Sequence, residues 1–233
     1  MELTQTQIEE LYKFTRIHFV EHYDIQTELV DHLANDIEQI WAKQPSISFE
    51  EARDTSFHKF GVFGFMEVVE AKQKQLGRRY AKILWRFLKE WFSMPKLILT
   101  GLLFCFFYGL LDFKTGSDFL LVILLLLLGI IDGVLAARLW RKAKQRFIEK
   151  ERKYLLEEII FRTGIFNLIL LFTNFLQFII HIKYIPAVLE KWVFAGLFTV
   201  AILFSNIVLI VIPKRAEELL EENYPEYKQM NTL

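Results

Sequence analysis

The stretch Phe119 to Leu139, FLLVILLLLLGIIDGVLAARL, constrains this chain more than any other. About 20 apolar residues at roughly 1.5 Å rise cross the ~30 Å hydrocarbon core of a bilayer. A soluble fold has little use for the unbroken leucines at Leu124 to Leu128. Once this segment is set as a span, three further apolar runs fall into register with it. The pattern predicts an all-α fold, a four-helix polytopic membrane bundle of two hairpins with an N-terminal cytoplasmic helical domain. The first hairpin occupies 95–139, with spans 97–113 and 119–139, and the second occupies 163–212, with spans 164–182 and 192–212. Around them lie a helical domain (1–64), a basic amphipathic neck helix (65–94), a charged helix (140–162) and a tail (213–233).

The 28 basic and 28 acidic residues balance but are segregated. Residues 1–71 hold 14 Asp and Glu against five Lys and Arg, whereas Lys72 to Lys96 holds eight basic residues and one acid, Glu90. An acidic head on a basic neck suits a domain beside an anionic membrane, the neck binding while the head stands off; nucleic acid is a poorer partner. Lys and Arg near span ends orient the bundle. Lys72 to Lys96 carries eight and Arg138 to Arg162 nine, with Lys214 and Arg215 after the last span; the opposite side has only Lys114, Lys183 and Lys191. Both termini of this multi-pass chain are therefore expected in the cytoplasm. The opening MELTQTQIEE lacks a charged segment followed by an apolar one, so no cleaved signal peptide is expected. Cys105 is the sole cysteine, which excludes an intrachain disulfide.

The first 64 residues read as short amphipathic helices. Thr4 with Gln7, or Thr6 with Glu9, supplies a capping box, and Ile8, Leu11, Tyr12 and Phe19 recur at roughly helical spacing. A second helix is expected from Asp24 as N-cap, with Ile25, Leu29, Leu33, Ile37 and Ile40 on one face and Pro45 ending it. Ser48 and Glu51 cap a third over Phe49 to Phe60, broken by FGVFGF. From about Phe65 a longer helix leads to the membrane. Tyr80, Ile83, Leu84, Phe87, Leu88 and Trp91 share one side of it, with the cations on the other. Arg79, Lys82, Trp85, Arg86, Lys89 and Trp91 are accordingly assigned to the membrane surface, the apolar side facing lipid or packing on the N-terminal helices. Between the hairpins, Trp140, Phe147, Tyr154 and Phe161 stand seven apart, as in a helix continuing the second span. The end, NYPEYKQMNTL, reads as an exposed segment.

Two sets of intramembrane residues are candidates for a role. Gly101, Cys105 and Gly109, and likewise Gly129, Gly133 and Ala137, repeat every four residues, a spacing that lets helix backbones approach. The first hairpin is expected to close along this seam, or two copies of the chain to meet there as a homo-oligomer. Asp132 is an acid within a span, which costs of order 2.5–3.5 kcal/mol and marks either a buried partner or a function. With Asn167, Asn174 and Asn206 at comparable depth it forms a candidate polar cluster, either holding helices together or relaying protons or ions.

Enzyme motifs come close and fail. Asp132, Gly133, Ala137 and Arg138 resemble the opening of the CDP-alcohol phosphotransferase signature, but the Ala-Arg pair comes one residue late and the downstream aspartates are missing. Gly129 to Asp132 resembles the GxGD of intramembrane aspartyl proteases, yet Ile131 replaces the glycine and Tyr108 is not followed by the partner acid, Gly109 standing there instead. His18, His22, Asp31 and His32 read as solvated groups ahead of a zinc set. No catalytic residue, cofactor or metal is assigned.

ELVDHLANDIE in the second helix, then FHKFGVFGF and a basic helix leading into spans, resembles a group of uncharacterised multi-pass membrane proteins of Bacteroidota. More distantly it is similar to the HAAS-type helical domain that precedes membrane helices in bacterial proteins linked to PadR-type regulation. The likeness covers roughly residues 1–92 and implies a multi-pass protein of a bacterial inner membrane with a cytoplasmic sensing or docking domain. The expected function is non-enzymatic: protein interaction, signalling, or an accessory subunit of a larger membrane complex, with the bilayer and a protein as partners. The alternative is a small transporter or channel component built on the polar cluster around Asp132.

Overall fold

A computed structural model describes residues 2–112, 117–149, 152–163 and 187–230. Every regular element among these residues is a helix, and no strand occurs among them. Two compact units form, Met1–Arg79 with Glu149–Leu156, and Tyr80–Ile148 with Glu157–Leu233.

In the first unit, α1 (Gln5–Ile17) opens on a complete capping box. The Gln7 amide donates to Thr4 Oγ1 at 3.3 Å, and the Thr4 amide donates to Gln7 Oε1 at 2.9 Å. The helix α2 (Tyr23–Lys43) buries Ile25, Leu29, Leu33 and Ile37 completely and Trp41 nearly so. The Trp41 indole N–H donates to the Ile47 carbonyl at 3.1 Å, tying the following turn back to the helix. Ser48 caps α3 (Phe49–His58) by accepting from the Glu51 amide at 3.2 Å. After it, Gly61 at φ +77° and Gly64 at φ +53° turn the chain in a region that costs glycine nothing. At Gly64 a Cβ would also sit 3.0 Å from the Phe57 ring. The turn delivers Phe65 into a nest of rings from Phe14, His18, Phe57 and Phe60. Next comes α4 (Met66–Trp91).

Two expectations for this unit need correction. Asp24 does not cap α2; His22 holds that position, and Asp24 Oδ1 accepts from the Leu155 amide at 3.2 Å, at the start of α7 (Leu155–Glu158). The charged helix expected over 140–162 is interrupted as well: residues 152–154 are not helical. The Tyr23 amide donates to the Lys153 carbonyl at 2.7 Å and the Tyr23 ring meets Tyr154 edge-on at 5.9 Å. Backbone spent on Tyr23 cannot continue a helix, so the seven-residue aromatic repeat does not form one stripe.

In the second unit, α5 (Lys96–Asp112) carries no charge between its ends. A single helix, α6 (Ser117–Glu149), runs 33 residues, roughly 50 Å at 1.5 Å per residue, longer than a bilayer core is thick. The helix α8 (Ala187–Asn206) packs on α5 around Phe107, Leu111, Phe194, Ala195 and Phe198, with Leu125 of α6 in the same cluster. Phe107 and Phe198 stack at 5.3 Å. Beyond Asn206 the chain passes through a wider turn over Ile207–Val211 into α9 (Ile212–Lys214), α10 (Ala216–Asn223) and α11 (Pro225–Met230).

A third correction concerns NYPEYKQMNTL, expected as an exposed segment: Tyr224 and Tyr227 within it are buried, as is one side of the helix before it, Ala216, Leu219 and Leu220. Arg86 reaches Glu222 at 3.2 Å, Arg215 reaches Glu90 at 3.7 Å and its guanidinium lies 5.1 Å over the Phe87 ring. Arg146 joins Glu157 at 3.1 Å and Glu217 at 3.2 Å. The charges of the tail are thus matched by charges from α4 and α6, and Leu219 and Leu220 follow them into the interior.

Candidate functional site

The end of α1 departs furthest from what local physics favours. The Phe19 amide donates to the Arg16 carbonyl and the Val20 amide to the Thr15 carbonyl, each at 3.1 Å. These two bonds make a Schellman ending, whose first residue past the cap is left-handed and usually glycine. Here that residue is Phe19, at φ +64°, and it is the sole non-glycine with positive φ among the described residues. A side chain in this region costs about 1–2 kcal/mol, and burial returns almost nothing, since Phe19 is 89% exposed.

Phe19 belongs to a group. Ile17 beside it is exposed, and His18 between them packs its ring 4.4 Å from Phe57 and 5.8 Å from Phe65. His18 Nδ1 lies 2.8 Å from the Phe14 carbonyl, which accepts from it. On the other flank of Phe65, Val62, Phe63 and Met66 are exposed, Val62 fully. The buried aromatic nest therefore carries an apolar outer rim from two segments of chain. Arg53 covers the Phe14 ring at 4.6 Å. Between α2 and the end of α3, Lys59 bonds Asp36 at 2.6 Å. Burial pushes the Asp36 carboxyl up, but the hydrogen bonds from Lys59 and Ser56 outweigh it and hold the group below its ordinary value.

Of the intramembrane cluster, Asp132 and Asn206 fall within the described residues; Asn167 and Asn174 lie outside them. Ser205 donates to Asp132 Oδ2 at 2.7 Å, from the residue beside Asn206. The serine went unnoticed in the sequence, because a hydroxyl in an apolar run carries no cost that draws attention to it.

The expected small-residue seam is not where α5 meets its neighbour. Gly101, Gly109 and Gly133 have open space where a Cβ would point, and Cys105 and Ala137 are exposed. Gly129 is half-buried. The helix turns its aromatic side, Phe104, Phe107 and Tyr108, onto α8, where Trp192 meets Phe104 at 5.4 Å and Tyr108 at 5.0 Å. Rings bury far more area than glycines, so the aromatic stripe takes the interface.

In the neck, Arg79, Lys82, Trp85, Arg86 and Lys89 are exposed and Trp91 is half-buried. The Trp91 indole donates to Thr100 Oγ1 at 3.1 Å, and Lys96 lies 5.5 Å over its ring. The opposite side, Tyr80, Ile83 and Phe87, is buried within the protein, so this side does not face lipid. Burial raises the Tyr80 phenol well above its usual range, and its hydroxyl has no hydrogen-bond partner among the described residues. Also among the described residues, no group of three or more His, Cys, Asp or Glu is placed to hold a metal.

These features define a class: an all-helical protein with two helices, Ile123–Ile148 and Leu189–Lys214, long and apolar enough to cross a membrane, at mean hydropathy 2.1 and 2.5. A third span is made if α4 and α5, whose axes meet at 85°, are counted as one broken element. No family model, curated protein or solved structure gives a significant match to the chain.

Proposed function

We propose that this is a non-enzymatic, multi-pass protein of a bacterial inner membrane whose N-terminal helical unit docks a partner protein from the cytoplasm, as a subunit or regulator of a membrane complex. The observation that carries the reading is Phe19. A ring held out in water on a strained backbone is retained for what it touches when a partner is bound. Its neighbours Ile17, Val62, Phe63 and Met66 widen the contact. A protein suits this rim better than an anionic bilayer, because residues 1–71 carry 14 acids against five bases and would be repelled by acidic headgroups. The resemblance of residues 1–92 to multi-pass membrane proteins of Bacteroidota, and more distantly to HAAS-type helical domains, implies a docking role of this kind.

The four-span topology is part of the proposal, and parity supports it. Residues 149–156 belong to the same compact unit as residues 1–79, so an even number of crossings must separate them; α5 and α6 supply two. Arg146 pairs with Glu217, so the chain between them also crosses an even number of times. There α8 is one crossing, and the apolar run 164–182 is the other. A lipid solvent also agrees with α6, of whose apolar window only 11% is buried. Both termini then lie on the Lys- and Arg-rich, cytoplasmic side.

The test is site-specific photo-crosslinking in cells, from benzoylphenylalanine at positions 19 and 63, with Glu50 as a control on the same unit. A discrete protein adduct at the first two positions, abolished by Phe63→Asp when the probe is at 19, is expected; adducts to lipid alone would overturn the reading. The Ser205–Asp132 bond favours a second reading, a transporter component in which Asp132 exchanges a proton or cation. Ion flux in proteoliposomes that Asp132→Asn removes would establish it in place of the first.

A further inference from the structure

A second feature of the N-terminal unit is independent of the apolar rim. Between α1, the start of α2 and residues 152–153 lies a cleft of about 940 Å³, open to solvent and of the size that small-molecule sites occupy. Four cations line it, Lys13 and Arg16 from α1 and Arg152 and Lys153 from the connector, against two acids, Glu9 and Glu21. Among the described lining residues the balance is therefore positive, in a unit whose first 71 residues are strongly acidic.

Two of the cations, Arg16 and Arg152, are tethered by the fold, and the connector that carries Arg152 and Lys153 is anchored through its backbone. The Arg152 guanidinium lies 4.4 Å from the centre of the Tyr23 ring, and the Lys153 carbonyl accepts from the Tyr23 amide at 2.7 Å. Arg16 Nη1 donates to Gln26 Oε1 at 3.4 Å, while the buried Gln26 anchors itself by donating from Nε2 to the Val20 carbonyl at 2.7 Å. Preorganised guanidinium groups from two separate segments recognise phosphate as a fork, with little ordering left to do on binding.

We propose that this cleft binds a phosphate monoester, the dianionic phosphate between Lys13, Arg16, Arg152 and Lys153 and a hydroxyl- or amine-bearing body against Glu9 and Glu21. The cations among the described lining residues supply positive charge of the kind that a dianionic phosphate takes up. The volume far exceeds what that group alone would fill, so the ligand has a polar body that the two carboxylates can accept from. Because the connector joins α6 to the segments that follow, such a ligand would tie α1 to the chain between the two apolar halves of the protein. Ligand binding would thereby stabilise the pairing of Tyr23 with Lys153.

The experiment is calorimetric titration of the full-length protein in neutral detergent with AMP and glucose 6-phosphate, adenosine and glucose serving as unphosphorylated controls. In parallel, nanodiscs bearing phosphatidic acid are tested for protection of Lys13 and Lys153 against acetylation. Saturable binding of a phosphorylated probe and not its control is expected, weakened at least about tenfold by Lys13→Gln and by Arg152→Gln, the loss of one charge-assisted hydrogen bond. Glu50→Gln, on the same unit and outside the cleft, is expected to leave it unchanged. Protection by phosphatidic acid with no soluble binding would assign the phosphate to a lipid headgroup. Equal binding of the controls, binding insensitive to both cleft variants, or neither binding nor protection would overturn the proposal. Hydrogen exchange over α2 in each variant separates loss of a ligand from loss of the fold.

Discussion

Replacing Phe19 with glycine should stabilise the N-terminal unit while removing its function, and the size of the gain follows from the geometry. At φ +64° the phenylalanine carries about 1–2 kcal/mol of left-handed strain that glycine does not. Glycine returns roughly 0.5–1 kcal/mol of this through the greater freedom of the unfolded chain. Losing the ring costs little more, since at 89% exposure only about a tenth of the ~2–3 kcal/mol of full burial is in play. The net gain is roughly 0.3–0.8 kcal/mol, or about a 1.5- to fourfold rise in protection where global opening of the unit controls exchange. Phe19→Ala is the control, because it removes the ring and keeps the strain, and it should be nearly neutral. Hydrogen exchange of the full-length protein in detergent, followed in peptides from α1 and α2, reads both. If glycine and alanine behave alike, or if glycine lowers protection, the backbone is not strained there and the ring is not held out for a partner.

Tyr80→Phe removes a buried hydroxyl that lacks a hydrogen-bond partner among the described residues, and should raise stability by about 1 kcal/mol in thermal unfolding of the intact protein. Leu220→Ala truncates a fully buried side chain of α10 and should cost about 2–5 kcal/mol by the same measurement, where a solvated tail would show no change. Asp36→Asn should cost about 0.5 kcal/mol at neutral pH, as exposed pairs do. The folded-state carboxyl titrates below its ordinary value, so its contribution is complete above the ordinary carboxylate range and fades as pH falls through the lowered one. Denaturation midpoints of wild type and Asp36→Asn should therefore converge in acid.

The helices of the first unit were legible because their signals are local. Thr4 and Gln7, Ser48 and Glu51, and the spacing of Ile25, Leu29, Leu33 and Ile37 each act within a turn or two of chain. The two long apolar helices were legible because lipid imposes a length. Pairings across long separations were hidden: Asp24 reads as a cap for its own helix, and nothing near it reveals that Leu155 will claim it. The glycine stripes misled for a related reason. Spacing says that a close approach is permitted, whereas the rings of Phe104, Phe107 and Tyr108 on the other side of α5 decide which side is used. The segment NYPEYKQMNTL read as exposed because its polar residues hide the fact that Tyr224 and Tyr227 are buried. At the end of α1, no short-range rule marks Phe19 as the left-handed residue, because that position usually announces itself with glycine.

The placement of both termini and the connector on one side of a bilayer is tested most directly by cysteine accessibility. In a Cys105→Ser background, single cysteines at Glu50, Lys114 and Glu221 would be probed with a membrane-impermeant maleimide in intact cells and again after permeabilisation. Lys114→Cys is expected to react in intact cells, and Glu50→Cys and Glu221→Cys only after permeabilisation. Reaction of Glu50→Cys from outside, a difference in sidedness between Glu50→Cys and Glu221→Cys, or release of the protein from membranes by alkaline carbonate would contradict it.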